Sequence, residues 1–182
     1  MTLIIIVCII VLLIAMYIII YNGFIKRRNN VEETWAQIDV QLKRRCDLIP
    51  NLLETIKGYT KHEQETFDKV IKARNMALNA GDRQQQIAAD SALSGALSSV
   101  FALSESYPEL KANTLFVELQ HELSSTENKV AYSRQLYNAT VKSWNTRVET
   151  FPSLIIANLH GFEKRDMLQI EQNERTVPKV QF

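Results

Sequence analysis

The first twenty residues constrain the chain most, because residues 3–20 form one unbroken apolar run without a charge. A helix over this run rises roughly 27 Å at about 1.5 Å per residue, close to the hydrocarbon thickness of a bilayer. Tyr17 and Tyr21 lie where aromatic side chains are expected at a membrane interface. A basic flank follows them and consists of Lys26, Arg27 and Arg28. The run therefore predicts a transmembrane helix that contacts the lipid bilayer through residues 3–20.

A cleaved signal peptide is the main alternative to a retained anchor. Such a peptide has basic residues before its apolar segment, and none precede this run. The run is also long for a signal peptide, and no small-x-small cleavage site follows it. The sequence therefore favours a retained, single-pass anchor. Its positive charges follow the helix, which favours an outside N-terminus and a cytoplasmic body.

A 4-3 repeat of apolar positions begins after the basic flank and indicates a long helix with a coiled-coil-like period. Only 5 glycines and 4 prolines interrupt the chain, which favours long helices over strands and turns. Pro50 lies inside the repeat and predicts a kink or short break, because proline cannot donate to the carbonyl of Cys46. The repeat positions are Val31, Trp35, Ile38, Leu42, Arg45, Ile49, Leu52, Ile56, Tyr59, Glu63, Thr66, Val70, Ala73 and Ala77.

Turn signals divide the rest of the chain into further helices. Asp82 suits the N-cap of a second helix over residues 83–104, and Pro108 suits the first position of a third that runs to about residue 149. A short apolar helix then ends at Gly161. We predict an all-α protein, with an N-terminal transmembrane helix and an elongated antiparallel bundle of three long helices plus a short C-terminal helix. The predicted parts are an anchor with its basic flank (1–28), the bundle (29–163) and a loosely ordered tail (164–182).

Residues that usually mark a catalytic or metal site are scattered in this sequence. His62, His121 and His160 share no metal-ligand spacing, and the glycines do not form a phosphate-binding loop. Cys8 and Cys46 form neither a disulfide framework nor a metal cluster. Lys plus Arg number 21 and Asp plus Glu number 20, so no basic field favours nucleic acid. We therefore predict no catalytic residue, no metal, no cofactor and no enzymatic activity.

A charged cluster on the first repeat is the best candidate for a contact surface. On a helix, Asp39 reaches Lys43, and Asp47 reaches Lys43 and Arg44, so these residues also suit a solvated face of weak ion pairs. Arg45 and Glu63 occupy repeat positions, and each needs a partner from another helix or subunit. The candidate partner or inter-subunit contacts are Asp39, Arg44, Arg45, Asp47 and Glu63. A set of asparagines is predicted to join a buried polar network that fixes helix register: Asn51, Asn113, Asn128, Asn138 and Asn145.

Three blocks of this sequence point to a known family. The first is Trp35-Ala36-Gln37-Ile38-Asp39-Val40-Gln41-Leu42-Lys43-Arg44-Arg45. The others are Asp47-Leu48-Ile49-Pro50-Asn51-Leu52-Leu53-Glu54-Thr55 and Glu105-Ser106-Tyr107-Pro108-Glu109-Leu110-Lys111-Ala112-Asn113. Over residues 21–162 the chain resembles the LemA family. The resemblance implies a membrane-anchored helical bundle found in bacteria, without an established enzymatic activity. This chain has Cys46 where the family usually has histidine, so a role that needs imidazole does not transfer.

These patterns lead to two functional hypotheses from different classes. In the first, the protein is a scaffold in the bacterial inner membrane that forms homo-oligomers through its long helical stripes, and any uncovered stripe marks the contact. In the second, it is a monomeric, membrane-tethered adaptor or receptor that recruits a protein partner through Asp39, Arg44, Arg45 and Asp47.

Overall fold

The computed structural model describes residues 1–59 and 63–169, and in these residues the chain is helical, without a strand. The all-α prediction, with an apolar N-terminal helix followed by a helical body, is confirmed. His62 and the tail beyond residue 169 lie outside the described residues. The helices are α1 (Thr2–Lys57), α2 (Gln64–Leu78), α3 (Arg83–Ser104), α4 (Pro108–Lys111), α5 (Thr114–Glu149) and α6 (Ser153–His160).

Helix α1 contains the apolar run and continues into the body. Two helices of the described chain, α1 and α3, are long and apolar enough to cross a membrane. Only 6% of the apolar window of α1 is buried, against 39% of that of α3, which contributes to a core. Burial along α1 begins at Ile20 and is complete at Phe24. The packed part of α1 therefore begins before the basic flank.

Pro50 lies inside α1, so of the predicted kink or short break the break is wrong. The Arg74 side chain of α2 replaces the missing donor, because its Nε donates to the carbonyl oxygen of Cys46 at 3.0 Å. The helix instead ends at Lys57, just before Gly58. The long predicted helix is thus divided about two turns later than the proline suggests.

The described chain separates into two compact units. The central unit, residues 36–133, has one apolar core to which α1, α2, α3, α4 and α5 contribute. Asp82 caps α3 as predicted, since its Oδ1 accepts from the Gln85 amide at 2.8 Å. Pro108 begins α4 rather than the long third helix, because Asn113 starts α5 by accepting from the Phe116 amide at 3.0 Å. The core residues are Cys46, Ile49, Leu52, Leu53, Ile56, Phe67, Val70, Ala73, Leu93, Ala96, Leu97, Val100, Leu110, Phe116, Leu119 and Leu123.

The terminal unit comprises residues 1–35 and the described chain from 134 onward. Aromatic rings pack together in its core, beside buried aliphatic residues such as Val31 and Val141. The Phe24 ring lies 5.6 Å from Trp144 and 4.8 Å from Phe162, centroid to centroid. Gly161 ends α6 as predicted, in the left-handed conformation (φ 63°) that glycine adopts without strain. The turn at Gly161 returns Phe162 to α1 and α5.

Candidate functional site

Arg45 of α1 lies at the centre of a buried ion cluster in the central unit. Its Nη1 is 2.7 Å from Asp90 Oδ1 of α3, and its Nη2 is 3.5 Å from Glu127 Oε1 of α5. The Arg45 side chain is only 2% exposed, so its charge needs these partners. Ser94 also donates to Glu127, at 3.1 Å. The partners lie on other helices of the same chain, so the Arg45 guanidinium joins three helices of this unit.

The neighbouring candidate residues lie at the surface. Arg44 donates to both carboxylate oxygens of Glu122, at 3.0 and 3.1 Å. Lys43 pairs with Asp47 at 3.3 Å, as its helical spacing suggests. Asp39 accepts instead from Gln86 of α3 at 3.5 Å. Asp39, Arg44 and Asp47 thus form an exposed charged surface, whereas Arg45 faces the interior.

A groove of about 160 Å³ opens beside the ion cluster and is lined in part by Asp39, Cys46 and Asp90. Cys46 is 3% exposed, and burial raises the pKa of its thiol above the ordinary value. A thiol that stays protonated is a poor nucleophile and a poor metal ligand. The described residues hold no group of three His, Cys, Asp or Glu side chains that is suited to a metal ion.

Glu63 lies just before α2 and not on the helix of Arg45. Its Oε1 accepts from the hydroxyl of Tyr107 at 2.9 Å, and this hydrogen bond raises the pKa of Tyr107. Glu63 therefore joins the start of α2 to the segment before α4. Its place in the repeat did not reveal this role, because the helix ends between Arg45 and Glu63.

The aromatic residues at the end of the apolar run pack against the end of α6. The Tyr17 hydroxyl lies 2.7 Å from His160 Nε2, and the Tyr21 ring lies 4.8 Å from the His160 ring. Of the basic flank, Lys26 and Arg28 are exposed, whereas Arg27 is half-buried and donates to the Gly23 carbonyl at 3.4 Å. No sequence pattern predicted this contact of α6, because the two segments are far apart along the chain.

Side chains of α5 hold residues 163–169 as a strap that is neither helix nor strand. Asn145 donates to the carbonyl of Arg165 at 2.8 Å and accepts from its amide at 2.9 Å. Asn138 makes the same pair of bonds with Leu168, at 2.9 and 2.8 Å. Trp144 donates to the carbonyl of Glu163 at 2.8 Å. These hydrogen bonds hold the described part of the predicted tail, residues 164–169, and the rest of that tail lies outside the described residues.

The two asparagines bind main chain rather than forming a network with each other. Asn138 and Asn145 are seven residues apart and share one face of α5, which was the available signal. Of the other predicted network residues, Asn113 starts α5 and also donates to the Tyr59 hydroxyl at 2.8 Å.

Comparison with known proteins finds several relatives of this chain. The chain is 25% identical to Protein LemA of Metamycoplasma hominis over 158 residues. This alignment covers 85% of this chain and 71% of that protein. It is 21% identical to Magnetosome protein MamQ 2 of Paramagnetospirillum magneticum, over 88% of this chain and 68% of the relative. It is 20% identical to Magnetosome protein MamQ of Magnetospirillum gryphiswaldense, over 79% and 62%. The model of the LemA family matches residues 34–182, and the chain therefore belongs to the LemA family.

Proposed function

We propose that the chain is a non-enzymatic scaffold, held in the bacterial inner membrane by residues 3–20 and associated there with copies of itself. The observation that carries this proposal is the exposure of the apolar run on a helix that continues into the body. Leu12 and Ile19 are 66% and 69% exposed, and an apolar surface of this extent needs lipid or another apolar partner. Relatives in two organisms are named as magnetosome proteins, after a cellular structure, which supports a structural role.

The joint between anchor and body supports a scaffold more than a flexible tether. Ile20 and Phe24 are buried on the same helix that contains the apolar run. An uninterrupted helix across this joint fixes the direction in which the terminal unit leaves the bilayer. A fixed direction favours repeated, identical contacts between neighbouring copies.

Self-association needs a surface other than the apolar stripe, because Leu42 and Ile49 are buried within the chain. The exposed apolar side chains of the central unit include Val117 and Tyr132, which are 48% and 68% exposed. V117E with Y132E is expected to lower the mass of the assembly while helicity stays unchanged. I49E is the contrasting variant, and it should unfold the central unit. An assembly that survives V117E with Y132E would place the contact elsewhere.

A monomeric adaptor is the second candidate, and the exposed charged surface favours it. Asp39, Arg44 and Asp47 are accessible to a protein partner, whereas Arg45 is not. Replacing the three accessible residues by alanine is expected to remove a specific co-purifying protein. Replacing Glu65 and Lys69, an exposed pair at 2.7 Å on α2, is the matched control. A monomer whose partners are unchanged in both variants would defeat the adaptor hypothesis.

A further inference from the structure

A basic groove lies between α1 and α5 in the terminal unit, just beyond the apolar run. It has a volume of about 440 Å³ and is open to solvent on one side. The side chains that define its charge are Arg27, Lys142 and Arg147. The other lining residues are Ala139, Ser143, Thr146 and Thr150. Among the residues that the structure describes, no carboxylate lines this groove.

The two arginines have no acidic partner among the described residues. Arg27 makes one long hydrogen bond, to the Gly23 carbonyl at 3.4 Å, and Arg147 lies over the Phe24 ring at 5.9 Å. The Nε of Arg147 is buried and makes no hydrogen bond with any part of the chain that the structure describes. Both guanidinium groups approach Gly23, since a Cβ at this residue would lie 3.5 Å from Arg147 Nη2 and 3.7 Å from Arg27 Nη1. Two unneutralised guanidinium groups so close together favour a shared anion.

The donors in the groove suit the oxygens of a phosphate group. Thr146 and Thr150 already donate their hydroxyl hydrogens to carbonyls of their own helix. The arginine forks, the Lys142 ammonium and the Ser143 hydroxyl remain to bind an anion. An arginine fork can donate a pair of hydrogen bonds to two oxygens of a phosphate. Because no described carboxylate lines the groove, these donors are available.

The position of the groove favours a lipid headgroup over a dissolved anion. Arg27 lies seven residues beyond Ile20, about 10 Å along the helix, and its side chain reaches back one turn towards the apolar run. Thr150 of the groove precedes Phe151, which is 76% exposed. Ile155 and Leu159 continue this apolar surface along α6 at 60% and 70% exposure, and His160 ties α6 to Tyr17. Acyl chains would therefore have an apolar surface next to the groove.

We propose that this groove binds the phosphate of an anionic membrane lipid, with Arg27 and Arg147 as the main ligands and Lys142 and Ser143 beside them. The proposal rests on membrane anchoring by the apolar run, but it is specific to these side chains. It differs from general attraction between basic residues and an anionic membrane, to which Lys26 and Arg28 contribute equally.

The test measures lipid retention by full-length protein in a neutral detergent, using native mass spectrometry with added phosphatidylglycerol or phosphatidylcholine. We expect retention of phosphatidylglycerol, and a loss of about tenfold in its apparent affinity in R27Q with R147Q. K26Q with R28Q removes the same charge from exposed positions and should retain the lipid. K142Q with S143A alters two exposed lining residues and should also weaken retention of phosphatidylglycerol. This variant tests the groove if the arginine variant fails to fold.

Each outcome of this test decides the proposal. Equal weakening by R27Q with R147Q and by K26Q with R28Q would overturn it, because attraction would then be unspecific. Phosphatidylcholine bound as tightly as phosphatidylglycerol would overturn it as well. Displacement of the lipid by millimolar inorganic phosphate would identify a site for free phosphate and overturn the lipid assignment. Alkaline extraction of the same variants from membranes tests anchoring separately, so failure of the anchor is distinguishable from failure of the groove.

Discussion

Removing the carboxylate of Asp90 should destabilise the central unit far more than removing an exposed acid. The Arg45 and Asp90 side chains are 2% and 10% exposed, so D90A leaves a buried guanidinium without its shortest partner. Breaking such a pair costs about 3–5 kcal/mol. Glu127 remains at 3.5 Å but is 55% exposed, so it compensates only in part and the expected cost is about 3 kcal/mol.

The expected shift in Tm follows from this free energy. For a chain of this size, about 3 kcal/mol corresponds to a fall of roughly 6–12 °C. The control is E122Q, because the Arg44 and Glu122 side chains are 48% and 42% exposed and such pairs contribute below about 1 kcal/mol. Thermal unfolding in mild detergent, followed by far-ultraviolet circular dichroism, measures both variants.

A double replacement separates burial of charge from loss of a contact. R45M with D90L removes both charges and fills the same space with apolar atoms, so its Tm should lie well above that of D90A. Equal shifts in Tm for D90A and E122Q would contradict a large cost of the unpaired, buried guanidinium. An R45M and D90L double variant less stable than D90A would contradict it as well.

Three further predictions follow from contacts of single side chains. R74M leaves the carbonyl of Cys46 without a donor and should lower the free energy of unfolding by about 1–3 kcal/mol. P50A restores a backbone donor, so R74M should lower the free energy of unfolding less in the P50A background. N145A should release the strap, and limited trypsin digestion should then cleave after Arg165 faster than in the parent protein; equal rates would contradict the role of Asn145. Because the pKa of Cys46 is higher in the folded chain, stability should fall as pH rises above about 9, and C46A should flatten this fall.

Structural features that depend only on neighbouring residues in the chain were predictable from the sequence. Asp82 caps α3, and Gly161 ends α6, because each needs only its own helix end. The apolar run of α1 is visible as composition alone. The 4-3 repeat correctly marked Ile38, Ile49 and Leu52 as core positions, since helical period determines which face is buried.

Contacts between distant segments were not predictable from the sequence. Pro50 stays within α1 because Arg74, 28 residues beyond Cys46, supplies the donor that the Cys46 carbonyl lacks. Asn138 and Asn145 bind the main chain of the strap, and these hydrogen bonds do not depend on which side chains the strap carries. The position of Arg45 in the repeat predicted that it needs a partner. Only the packing of three helices selects Asp90 and Glu127 as its partners.

The scaffold proposal is tested most directly by comparing two masses in mild detergent. One is that of the full-length protein, and the other is that of a version that begins at Ile20. This boundary keeps the buried residues Ile20 and Phe24, which removal of the whole predicted anchor, residues 1–28, would delete. The predicted result is a discrete oligomer of the full-length chain and an assembly of fewer subunits for the shortened chain. A monomer in both forms would contradict the scaffold and favour the adaptor.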